Sequence, residues 1–117
     1  MTRSALDRLK DIIQASGSAY RYAAGLDPDR LMGAGVARDG ALFQLMIIGE
    51  AATHLPAEVQ ALAPDIPWSQ IRATRHKIAH GYWQIDFDVI ADTITSDLRP
   101  LELAAMSLVE VISKADP

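Results

Sequence analysis

Residues 86–112 read DFDVIADTITSDLRPLELAAMSLVEVI, and the spacing of their apolar side chains decides the fold class. Phe87, Ile90, Ile94, Leu98, Leu101, Ala105, Leu108 and Ile112 recur at intervals of three and four, which lays them along one side of a helix. Asp86 stands where an N-cap belongs. Pro100 falls inside the stripe, yet the spacing runs on past it. A proline there removes one backbone hydrogen bond and kinks a helix without ending it. The segment predicts one long, bent, amphipathic helix.

The rest of the chain has the same character. Leu6, Leu9, Ile13, Ser16, Tyr20 and Ala23 form a stripe over residues 4–25, with Thr2 or Ser4 as cap and Gly25 as stop. Residues 26–35, LDPDRLMGAG, hold a turn and one short helical turn at Pro28. A second long helix is predicted from Val36 to His54. Its stripe is Gly40, Phe43, Ile47, Glu50 and His54, with Leu42, Leu45 and Gly49 beside it. A glycine inside a helix costs about 1 kcal/mol relative to alanine, so Gly49 predicts the close approach of another backbone. Pro56 and Pro64 bracket a short helix. Pro67 starts another, from Trp68 to His80, with Gly81 suited to a left-handed position just after its end.

Composition agrees with this pattern. The 117 residues are half apolar, few of those are aromatic, and none is cysteine. An aliphatic, alanine-rich core favours helices packed on helices. Residues 1–117 read as one all-α domain, an up-and-down helical bundle of about four main helices plus short ones. So small a domain leaves much apolar surface exposed as a monomer. Disulfides and thiolate metal sites are excluded. The start, MTRSALDRLK, does not resemble a signal peptide, and no apolar run matches a membrane span, so the expected location is the cytoplasm.

The formal charge is −4, which argues against a general nucleic-acid coat protein. Residues 72–80, RATRHKIAH, oppose that balance. They hold Arg72, Arg75 and Lys77 and no acid, so the remainder carries −7. One positive spot on an acidic body suits a small anionic target, such as one or two phosphates. The cluster also falls on the last two turns of a helix, where cations complement the helix dipole. Position alone leaves both readings open.

Several chemistries are excluded by the neighbours. His76 and His80 are four apart, like paired zinc ligands, but Lys77 stands where the zincin pattern has a glutamate. No metal or other cofactor is expected. Ser69, Thr74, Tyr82 and Ser96 do not sit in a nucleophile elbow, and there is no phosphate-binding glycine loop. What remains is histidine with arginine. His80 can exchange protons near neutral pH, and an arginine can grip a phosphate and stabilise its growing charge. RNA would supply its own nucleophile, the 2′-hydroxyl. Arg75 and His80 are five apart, about 140° around a helix and about 7.5 Å along it. Convergence requires either an unwound helix near Gly81 or a second copy of the chain.

Arg75-His76-x-x-x-His80 resembles the signature of the HEPN superfamily, and the extension His80-Gly81-Tyr82 resembles its HepT-type toxins. RDGALFQLMIIGEAATHL (38–55), PDIPWSQI (64–71) and DFDVIADTITSDLRPL (86–101) are similar to further family segments, in order, and the likeness spans residues 4–113. The resemblance implies a HEPN bundle that forms a homodimer or higher oligomer, with two motifs facing across a cleft. It implies the toxin of a type II toxin–antitoxin pair, a metal-independent RNA endonuclease acting on tRNA or mRNA and leaving a cyclic phosphate. Arg75 and His80 would be catalytic. His76, at a position where the family often has Asn, would orient the site or share proton transfer. Arg72 and Lys77 would contact RNA. A cognate nucleotidyltransferase antitoxin would neutralise the toxin by AMPylating Tyr82, whereas as a structural residue Tyr82, with Trp83, would anchor the turn onto the bundle. Glu50 is expected to be buried, either orienting Arg75 or a histidine or pairing to fix helix packing. The alternative function is a non-catalytic HEPN module that binds a nucleotide or a partner.

Overall fold

The computed structural model describes residues 3–23 and 35–115, without the side chains of Tyr82, Phe87, Asp88 and Ala91. The described elements are α1 (Ala5–Ala23), α2 (Gly35–Thr53), the single turn α3 (Ala57–Gln60) and α4 (Trp68–His80). They continue with a 3-10 turn (Tyr82–Gln84), α5 (Phe87–Asp92), a π turn (Thr93–Asp97) and α6 (Leu98–Ala115). There is no strand among the described residues, so the expected all-α bundle is present. The stop at Gly25 and the turn at Pro28 lie outside the described residues. No helix among those described is long and apolar enough to cross a membrane.

Each boundary has a local cause. Ser4 opens α1: its hydroxyl accepts from the Asp7 N–H at 3.0 Å, and the Asp7 carboxylate accepts from the Ser4 N–H at 3.2 Å. The two close a reciprocal cap. The Ser4 N–H, and then its hydroxyl, hold the Asp7 carboxyl below its ordinary pKa. Asp86 opens α5, with a carboxylate oxygen 3.4 Å from the Val89 N–H. At Pro100 the chain does not simply bend. A π turn occupies the five residues from Thr93 to Asp97, just upstream of the proline. Widening the helix there makes room for a ring that would collide with the carbonyl four residues back.

α2 packs against both α1 and α4, and α1 packs also against α6. The stripe read from residues 87–112 is the core face of the last helical run: Ile94, Leu98, Leu101, Ala105 and Leu108 are buried. They meet Leu9, Ile12, Ala15 and Ala19 of α1 in one cluster. Tyr20, expected on the inner face of α1, is 55% exposed.

The stripe expected on α2 is only partly inward: Ile47 packs against the core and Gly40 lies against the Tyr22 ring, but the rest faces out. Phe43 is 59% exposed, and the side chains of Glu50 and His54 are 42% and 51% exposed. The core face is Ala41, Leu42, Leu45, Ile48, Gly49 and Ala52. Apolar residues surround most of α2, so spacing alone did not select a side. Small residues did, because they let two neighbouring helices approach. The expected burial of Glu50 is therefore corrected.

Gly49 does what its cost predicted. A Cβ on it would stand 2.9 Å from both the backbone N and the Cβ of Arg75, and 3.2 Å from the Ile71 carbonyl. α4 thus lies almost against the α2 backbone, with Arg75 at the crossing.

Trp68 fastens the start of α4. Its indole N–H lies 3.0 Å from the carbonyls of Gln60 and Ala63 and donates to both. The Gln60 amide donates to the carbonyls of Ala52 and Leu55 and accepts from Arg72. Trp68→Phe removes this shared donor, while both carbonyls keep a backbone donor, the N–H of Ala63 for Gln60 and that of Ile66 for Ala63. It is expected to cost about 1 kcal/mol, read as a lower urea midpoint at an unchanged slope.

Candidate active site

The site is assembled on two helices by that crossing. Arg75 starts beside Gly49 and turns back to Glu50, its Nε 2.9 Å from Glu50 Oε2. The other carboxylate oxygen, Oε1, lies 3.0 Å from His54 Nε2. One acid therefore bridges the arginine of α4 and a histidine one turn further along α2. Arg75 has no second partner among the described residues. A guanidinium held through Nε keeps its terminal N–H groups for a pair of phosphate oxygens.

His76 and His80 are both exposed and stack along α4, ring centroids 4.6 Å apart and planes tilted by 43°. The helix remains α-helical through His80. The unwinding that would bring Arg75 and His80 together on one chain is therefore absent. Gly81 corrects a second expectation: its φ of −125° and ψ of 29° are not left-handed. Its N–H donates to the Lys77 carbonyl at 2.9 Å, and its own carbonyl accepts from the Gln84 N–H at 2.9 Å. The chain thus passes from α-helix into a 3-10 turn without reversing, so no left-handed residue is needed. Glycine still fits, because a Cβ there would sit 3.0 Å from the Lys77 carbonyl.

The remaining residues separate. The Arg72 guanidinium is half-buried and bonded to Gln60, on the side that fastens α3. Lys77 is exposed and lines a groove of about 540 Å³ between α4 and α5, with Thr74, Ile78, Gln84, Ile85 and Val89. The Tyr82 side chain lies outside the described residues. Trp83 is 91% exposed. No group of three or more histidines and carboxylates among the described residues is placed to hold a metal ion.

His54 is the member that sequence reasoning missed. Its spacing of four from Glu50 was the available signal, since residues four apart meet on a helix surface. Glu50 was singled out, but with a buried role. In the structure it is an accessible carboxylate engaged on both oxygens.

Comparison with known proteins adds an independent line. Residues 3–108 match the family model described as Ribonuclease HepT-like. A Thermococcus cleftensis protein described as a probable ribonuclease HepT is 28% identical over 102 residues, covering 87% of this chain and 93% of its own. A Caldanaerobacter subterraneus protein described as a candidate RNase is 36% identical over 58 residues, covering 50% of this chain and 52% of its own. A Methanocaldococcus jannaschii protein with the same description is 22% identical over 94 residues, covering 80% of this chain and 86% of its own. No solved structure matches the chain.

Proposed function

Because the chain belongs to the HepT-like ribonuclease family, we propose that it is a toxin that cleaves RNA without a metal ion, at a cleft formed by two copies of the chain. The observation that carries this reading is the Glu50-anchored guanidinium of Arg75 on the same helix end as exposed His80. In the reaction, the 2′-oxygen attacks the adjacent phosphorus and its proton passes to an imidazole. The 5′-oxygen leaves with a proton, giving a 2′,3′-cyclic phosphate and a 5′-hydroxyl. Arg75 grips the non-bridging oxygens as their charge grows. His80 takes or returns a proton, with His76 stacked beside it. The experiment is incubation with tRNA or mRNA in excess EDTA: cleavage under those conditions supports the reading, and a strict need for a divalent ion rejects it.

Two features support the dimer. A regular helix separates Arg75 and His80 by about 140°, so a phosphate touched by both needs a second chain to complete its surroundings. The outward stripe of α2 carries exposed Val36 and Phe43 on the same side as Glu50 and His54. Apolar residues arranged in a stripe on a helix surface suit a two-fold interface. Sedimentation at a strictly monomeric mass would remove this part of the proposal.

Tyr82 lies two residues past His80, at the start of the 3-10 turn. We assign it as the residue that a nucleotidyltransferase antitoxin modifies. An AMP group there adds bulk and phosphate charge beside the cationic helix end and competes with RNA for it. Protein made together with that partner is expected to gain the mass of one or more AMP units at Tyr82. An unmodified tyrosine with toxicity still suppressed would point to simple occlusion.

A further inference from the structure

Trp83 stands out among the exposed residues. It is 91% exposed, although tryptophan carries one of the largest apolar surfaces of any side chain. It sits three residues past His80, on the turn closed by the Gln84 N–H to Gly81 carbonyl bond. A 3-10 turn rises about 2 Å per residue, which keeps the root of the indole within one short turn of the helix end. That end carries Arg75, His76, Lys77 and His80. Phosphates drawn to these cations bring their bases with them. A flat aromatic face beside a cationic helix end is the combination that binds single-stranded nucleic acid.

We infer that Trp83 is a nucleobase-stacking subsite, which holds an unpaired base of the RNA next to the phosphate gripped at Arg75 and His80. The inference rests on the RNA-cleavage reading and deepens it. It assigns the substrate class as single-stranded or looped RNA, because a base inside a duplex has no free face to offer. Stacking accepts any base, so the subsite selects for unpaired structure more than for sequence. It also gives Tyr82 a setting: its backbone lies between His80 and Trp83, so a nucleotide attached there is well placed to compete for the same aromatic surface.

The test uses the full-length protein in a His80→Ala background, which keeps RNA intact, with fluorescein-labelled tRNA as probe. Trp83→Ala is expected to weaken binding about tenfold. Trp83→Phe retains most of the affinity, while Trp83→Leu, apolar but without a π face, behaves like alanine. Indole emission quenched by unlabelled tRNA should lose that quenching in Trp83→Phe, where buried Trp68 is the remaining tryptophan. Equal affinity of wild type and Trp83→Ala, or leucine as good as phenylalanine, overturns the stacking role. So does a change of Trp83→Ala from dimer to monomer in sedimentation, which would make the indole a contact between chains. If wild-type protein neither binds nor cleaves RNA, the broader reading fails as well. If wild type cleaves RNA and the His80→Ala protein binds it equally well with and without Trp83→Ala, only this inference fails.

Discussion

Alanine in place of His80 is expected to lower RNA cleavage by about a hundredfold to ten-thousandfold, the range for a lost proton-transfer group. Arg75→Ala is expected to lose about a hundredfold to a thousandfold, as when one donor to a developing oxyanion is removed. Arg75→Lys should not restore the rate, because an ammonium lacks the planar fork that meets two phosphate oxygens. Groups acting as one unit are not additive, so the double variant should be about as slow as the worse single one. Glu50→Gln keeps a hydrogen-bonding side chain but removes the charge that holds Arg75. A loss of about tenfold to a hundredfold is expected there, since a misplaced group costs up to about a hundredfold. All are read as initial rates on one RNA in EDTA. Wild-type rates in both Arg75→Ala and His80→Ala would end the assignment.

Gly49→Val should be the most damaging change outside the chemistry. The new side chain would enter a space where the Arg75 backbone N and Cβ already stand 2.9 Å from an added Cβ. The obstacle is backbone, so α4 must move. Overpacking of this kind costs about 1–3 kcal/mol, and an ångström of displacement at a reacting group costs about a hundredfold in rate. The protein should therefore lose stability in urea and also cleave slowly under conditions where it remains folded. Gly35→Ala is the control, because a Cβ there meets nothing within 4 Å. Unchanged stability and rate in Gly49→Val would mean that the two helices do not cross at this point.

Much of this arrangement was legible before the fold was seen, and the reasons differ by residue. The bounds of α4, Trp68 to His80, follow from Pro67 before it and Gly81 after it. Gly49 signalled a close crossing because glycine inside a helix is unfavourable without one. The last stripe was readable because charged and hydroxyl residues separate its apolar positions. α2 has no such contrast. With apolar side chains on most sides, its inner face was chosen by the small size of Ala41, Gly49 and Ala52, which only packing reveals. That ambiguity moved Glu50 from an expected buried site to an accessible one. It also concealed the pairing of Glu50 with His54. Gly81 was misread because a 3-10 turn follows directly, and nothing local distinguishes that continuation from a reversal.

The π turn between Thr93 and Asp97 leaves a trace in the spacing itself. Ile90, Ile94 and Leu98 are four apart twice in succession, slightly more than two α-helical turns require, and the surplus is the room that the wider coil takes up. Shortening this stretch by one residue would leave an unbroken helix and a plausible-looking sequence. Everything downstream would keep its phase, with Leu101 and Leu108 still buried, because five residues in the wide turn carry the chain about as far round as four in a regular α-helix. The wide turn thus lets the chain carry one residue more ahead of α6 than a regular helix would, without turning the buried face of its eighteen residues away from the core.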